Sequence, residues 1–127
     1  MSEIKTNKLT GVSTAGSIVV TGEGNSTTTN LQQGLAKAWA KYSQSGTPAV
    51  DDSFNIASVT DNSAGNFTSS FSNAMGSANY AFPAISGEKN MQQAGTDATG
   101  SCTLLSSNAS NSASDGTNYL TVHGDLA

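Results

Sequence analysis

Residues 52–80 read DSFNIASVTDNSAGNFTSSFSNAMGSANY and hold two alternating segments, SFNIASVT and NFTSSF, on either side of DNSAG. The first sets Phe54 and Ile56 two apart, and the second does the same with Phe67, Ser69 and Phe71. Side chains two apart share one face of a strand, so each segment carries one apolar and one polar face. Asp61, Asn62 and Gly65 suit the turn, because Asx side chains bond their own backbone and glycine tolerates positive φ. The stretch predicts a β-hairpin with strands at about 51–60 and 66–72.

Similar short segments recur on both sides. EIKTNKL (3–9) and SIVVT (17–21) read as two strands joined across TGVSTAG, with too few apolar residues to bury a sheet by themselves. GEGNSTTTN (22–30) reads as a polar loop in which Thr28, Thr29 or Asn30 suits a helix cap. LQQGLAKAWAKY (31–42) fits two patterns. Leu31, Leu35, Ala38, Trp39 and Tyr42 form a helical stripe, while Ala36, Ala38, Ala40 and Tyr42 share one strand face opposite Lys37, Trp39 and Lys41. Gly34 weakens the helix by about 1 kcal/mol relative to alanine. SQSGTPA (43–49) is a turn, and SNAMGSAN a second connector. YAFPAIS (80–86) reads as a strand at an edge or interrupted at Pro83, which cannot donate to a ladder. Residues 87–99 read as a polar loop, SCTLLSS (101–107) as a strand, NASNSASDG as a mobile Ser/Asn-rich loop and TNYLTVHGD as a closing strand. Many short strands separated by turn signals predict an all-β fold, an antiparallel β-sandwich or a barrel-like sheet.

Ser, Thr, Asn and Gly make up close to half of the 127 residues, arginine is absent, and 11% of the chain is charged. Of the 35% that is hydrophobic, 16 residues are alanine. A domain of this length buries roughly two thirds of its unfolded surface, and this supply of large apolar side chains is thin for that. Regular strand patterning on so small a core predicts an obligate oligomer. The net charge of −4 and the lack of any basic stripe argue against nucleic acid as a partner. No stretch approaches the roughly 20 apolar residues of a membrane span, so no membrane insertion is expected. MSEIKTNKL lacks the apolar region of a signal peptide, and assembly in a cytoplasm is the expectation.

Catalytic signals are sparse. His123 is the single imidazole, no GxSxG elbow surrounds a serine, and the lone Cys102 reads as a buried strand residue. Asp51 and Asp52 are adjacent and point to opposite faces of an extended chain, unlike the paired carboxylates of a glycosidase. Asp61, Asn62 and Ser63 resemble part of a calcium loop but lack its full ligand set and distal Glu. No enzyme, cofactor or metal site is expected. The remaining candidates are the aromatics Trp39, Tyr42, Tyr80 and Tyr119, read as core or subunit-interface residues, or as receptor contacts stacking on sugar rings.

MSEIKTNKL, SIVVTGEGNSTTTNLQQGLAKAW, SFNIASVTDN with NFTSSF, AMGSANY and VHGDLA occur in an order that resembles small virion proteins of the tail-fibre or fibre-like type from tailed bacteriophages, often those of aquatic bacteria. The resemblance implies that LAKAW is extended, giving a strand over 36–42 and a capped turn at about 28–33. It implies a homotrimer with a jelly-roll-like sandwich. Residues 1–34 would serve attachment and trimerisation, and residues 35–127 would form the β-sandwich domain. It also implies a place on the virion as a short tail fibre or fibre-like component, with other virion proteins and a host surface glycan as partners. Loops 87–99 and 106–117 would form the binding rim. Capsid decoration or a head fibre is the alternative role, and a polysaccharide depolymerase a more distant third.

Overall fold

A computed structural model describes residues 3–11, 18–22, 26–87 and 90–127. Residues 1–2 and parts of the expected connectors, 12–16, 23–25 and 88–89, lie outside the described residues, as does Ser17 of the expected strand 17–21. The chain forms two compact units, Met1–Leu35 and Ala36–Ala127.

The first unit holds one antiparallel pair, β1 (Val19–Thr21) with β2 (Thr28–Asn30), in which Val20 faces Thr29. The VVT part of the expected strand 17–21 therefore pairs with TTN from the expected polar loop. EIKTNKL does not form the predicted strand: residues 3–11 are irregular and exposed. Only Ile4 and Leu9 interrupt a polar run there, so a strand would bury nothing. The single helical turn α1 (Leu31–Gly34) is capped by Asn30, whose Oδ1 accepts from the Gln33 N–H at 3.1 Å. No described residue of this unit is buried.

The second unit is an antiparallel β-sandwich of two four-stranded sheets. Its strands are β3 (Ala38–Ser43), β4 (Ala49–Phe54), β5 (Ile56–Ser63), β6 (Asn66–Phe71), β7 (Ala84–Ser86), β8 (Asn90–Gln93), β9 (Ser101–Ser107) and β10 (Thr117–Val122). They order as β4-β3-β10-β7 in one sheet and β5-β6-β9-β8 in the other.

Residues 52–80 form part of three strands rather than two. The expected first strand divides at Asn55, which takes φ 57°. Its Nδ2 donates to the carbonyls of Lys37 (2.9 Å) and Asn73 (3.1 Å), and its Oδ1 accepts from the Asn73 N–H (2.7 Å). Asparagine tolerates the left-handed region because its short side chain can bond nearby backbone. The pivot passes the chain from one sheet to the other. Phe54 and Ile56 consequently do not share a face: Phe54 is exposed, whereas Ile56 packs against the core. The turn also differs, since β5 runs through Asp61 and Asn62 and only Ala64 and Gly65 form the reversal. NFTSSF alternates as read, with Phe67, Ser69 and Phe71 buried.

LAKAW resolves to the strand reading from Ala38 onward. Ala38, Ala40 and Tyr42 point inward, and Trp39 and Lys41 outward. Lys37, expected beside Trp39 on the outer face, precedes the strand and is buried. Leu120 and Val122 of β10 extend this inner face. Phe67, Phe71, Cys102 and Leu104 supply the opposing layer, and the Tyr42 ring meets Phe67 edge-on at 4.6 Å. YAFPAIS shrinks to the edge strand β7 after Pro83, and the expected 87–99 loop contains β8, whose Met91 packs on the core.

Candidate interaction surface

Alternation along β3 and β10 turns every second side chain of the β4-β3-β10-β7 sheet away from the core. Trp39 faces Phe54 on one side and Thr121 on the other. Tyr119 faces Lys41 on one side and Ile85 on the other. Phe54 (52% exposed), Trp39 (39%), Tyr119 (43%) and Ile85 (67%) thus lie on one outer surface. An open depression of about 410 Å³ runs along it past Pro83, Ala84, Ile85, Tyr119 and Thr121. Lys41 is the cation of this face, and its Nζ sits 2.9 Å from Asp51 Oδ2. The hydrogen bond and charge of Asp51 hold the Lys41 ammonium above its ordinary pKa. A solvated sheet face normally presents polar side chains, so this one is anomalous.

The other sheet has the usual character. Two of its outer rows, Ser58–Ser70–Ser101 and Thr60–Thr68–Thr103, are hydroxyls throughout, and the next, Asn66–Leu105–Gln92, adds one half-buried leucine between two amides. Thr68 and Thr103 share a hydrogen bond of 3.0 Å, and Asn62 Nδ2 donates to Thr68 Oγ1 at 3.0 Å.

Of the four aromatics singled out in the sequence, Trp39 and Tyr119 share the apolar face and the other two do not. Tyr42 lies inside the sandwich at 1% exposure, where burial raises its phenol pKa, so it cannot touch a receptor. Tyr80 is half-buried between Phe71 and Phe82, each 5.8 Å away. Its hydroxyl is shared between the Ala98 carbonyl (2.9 Å) and the Ser101 carbonyl (2.8 Å), fastening the approach to β9. Burial raises its pKa as well. Phe54 and Ile85 complete the face and were not legible as such. Phe54 reads as a core partner of Ile56 until the Asn55 pivot is known, and Ile85 sits in a Pro-interrupted segment.

The remaining candidates have structural places. His123 pairs with Ala81 through backbone bonds, and its Nε2 lies 3.3 Å from Thr121 Oγ1. Cys102 is buried between the sheets, and burial, with a smaller contribution from the Asp97 charge, pushes its thiol up to about 12. A thiol with that value is protonated at neutral pH and unreactive. Among the described residues no three His, Cys, Asp or Glu side chains are grouped to hold a metal ion.

The Ser/Asn-rich loop before β10, expected to be mobile, is tied down. Asn108 Oδ1 accepts from the N–H groups of Ser110 and Ser112, and Asp115 Oδ1 accepts from the Gly65 N–H at 2.6 Å. Beneath it lies a buried polar group in which Gln44 Oε1 accepts from Asn118 Nδ2 at 2.8 Å. Compared with protein-family models, with curated proteins and with solved structures, the chain has no significant match in any of the three.

Proposed function

We propose that this chain is a non-enzymatic structural protein of a bacteriophage virion, a short tail fibre or fibre-like component assembled as a homotrimer. The observation that carries the need for assembly is the distribution of apolar side chains. One sheet turns Trp39, Phe54, Tyr119 and Ile85 outward, and the first unit leaves Ile4, Leu9, Val19, Val20 and Leu35 exposed. A contiguous apolar patch on a sheet face often marks a contact surface. The order of phage-like motifs supports the virion setting, and the eight strands divided four and four support the jelly-roll-like description. Residues of the first unit serve attachment to other virion proteins, and the sandwich faces outward.

Capsid decoration is the second reading. It is favoured by the fastened 108–116 loop, which gives the sandwich little adaptable surface for gripping a host glycan. Native mass by light scattering tests assembly first: a species near three times 12.8 kDa is expected, and a folded monomer defeats both readings. Gold-labelled antibody on particles then separates them. Label at the tail, with adsorption lost on gene deletion, fits the fibre; label over the head, with adsorption intact and particles weakened, fits decoration.

A further inference from the structure

We infer that the outer face of the β4-β3-β10-β7 sheet is a contact between copies of this chain, with a second copy covering Trp39, Phe54, Tyr119 and Ile85. This rests on the assembly proposed above and assigns the surface that makes it.

Area is the first argument. The four side chains are between 39% and 67% exposed. At about 200 Å² apiece they leave on the order of 400 Å² of apolar surface uncovered. A stable protein contact removes about 800 Å² per partner, of which somewhat more than half is apolar. The patch therefore supplies the apolar portion of one such contact. The hydroxyl rows of the opposite sheet supply none of it.

Charge is the second. Drying an unpaired cation is costly, but Lys41 in this face already holds Asp51 at 2.9 Å. Asp52 lies directly across from Lys41 on β4. The face thus carries one cation and two carboxylates, and Asp52, on the edge strand β4, stays hydrated at the rim of the contact. A sugar is a poorer fit. The polar groups of the face are already paired in part, Lys41 with Asp51 and Thr121 with His123, which leaves apolar area as its larger resource.

Trp39 is the chain's single tryptophan and lies on the face between Phe54 and Thr121, so the test needs no label. In the assembled wild type its emission should be blue-shifted and poorly quenched by acrylamide. Tyr119→Asp should bring the native mass down to one chain while keeping the β-sheet circular dichroism. Trp39 should then shift red and become several-fold more quenchable. Thr103→Asp, on the hydroxyl face, should change neither mass nor quenching. An assembled wild type with freely quenched Trp39, or with a native mass that Tyr119→Asp leaves intact, overturns this assignment while the assembly stands. A monomeric wild type overturns both. Protection of Trp39 that appears only on adding host-surface polysaccharide overturns it in favour of a glycan. Should Tyr119→Asp fail to fold, the wild-type quenching alone gives the answer.

Discussion

Gly65→Ala should be among the most damaging small substitutions in the sandwich. Gly65 takes φ 69° in the β5–β6 turn, and the turn presses against β9 and the loop before β10. A Cβ at this position would overlap the Ser106 carbonyl oxygen and stand 2.8 Å from Ser114 N and 3.2 Å from Ser114 O. All three are backbone atoms, so no side-chain rotation relieves the clash. The turn must back away, which breaks the Ser106 N–H bond to Gly65 O (2.8 Å) and the Gly65 N–H bond to Asp115 Oδ1 (2.6 Å). The left-handed backbone costs alanine about 1 kcal/mol. The neutral bond is worth about 1 kcal/mol and the bond to the carboxylate about 2 kcal/mol. Together these approach 4 kcal/mol, a large share of the roughly 5–15 kcal/mol that holds a domain together. Gly46 provides the control, because it has φ 75° but open space around its Cβ position. Gly46→Ala should lose only the backbone cost of about 1 kcal/mol. Urea unfolding followed by circular dichroism, at matched protein concentration, measures both. Equal midpoints for the two variants would show that the close approach of the turn to β9 does not exist.

Three other perturbations probe the same framework. Asn55→Ala should cost about 3 kcal/mol by removing the bonds to Lys37 and Asn73 at a left-handed residue, and Asn55→Gly clearly less, since glycine keeps the backbone conformation. Thermal melts of the pair check the order, and a reversed ranking rules out backbone conformation as the reason for asparagine there. Cys102 ionises near its usual value of 9.0 in the unfolded chain but only at about 12 in the fold. Between these values the unfolded state holds fewer protons, so stability should fall as pH rises, by up to ~1.4 kcal/mol per unit. Urea midpoints from pH 8 upward should therefore drop more steeply for wild type than for Cys102→Ala, and parallel curves would contradict the burial of the thiol. Gln44→Leu or Asn118→Leu alone should each destabilise by roughly 1 kcal/mol, because each removes the shared 2.8 Å bond and leaves Asn118 Nδ2 with the Gly116 carbonyl alone, or Gln44 Oε1 with only the 3.4 Å contact from Ser106 Oγ. The double variant should lose less than the sum, and strict additivity in a double-mutant cycle would mean the two side chains do not interact.

Much of the sandwich was legible because its central strands obey period two. NFTSSF, SCTLLSS and TNYLTV each bury alternate residues, and the Ala38, Ala40 and Tyr42 face of β3 follows the strand pattern rather than the helical stripe. What escaped has local causes. A single left-handed residue, Asn55, leaves the hydrophobic pattern of residues 53–60 unchanged yet divides it between two sheets. β8 reads NMQQ, and only Met91 of those four packs on the core, so its apolar signal is one residue long. EIKTNKL has only Ile4 and Leu9 as apolar residues, five apart and so on opposite faces of a strand, and it stays irregular and exposed. The surface was half visible: Trp39 and Tyr119 stand out by type, whereas Phe54 and Ile85 join them only through cross-strand neighbours that are distant in sequence.

The pairing of β3 with β10, first and last strands of the sandwich and neighbours at the middle of one sheet, has a consequence during synthesis. Ser43 must find Thr117, and loop closure over such separations is slow. A nascent chain cannot complete this sheet until Val122 has emerged from the ribosome. Before then β3 is an open edge, and β7, whose neighbour in the sheet is β10, has nothing to pair with. Ribosome-bound fragments would therefore expose sticky backbone and resist productive docking. A chain that stops short of β10 should keep the β3–β4 pair and lose the link to β7, making the four-stranded sheet an all-or-none property of a chain that reaches Val122.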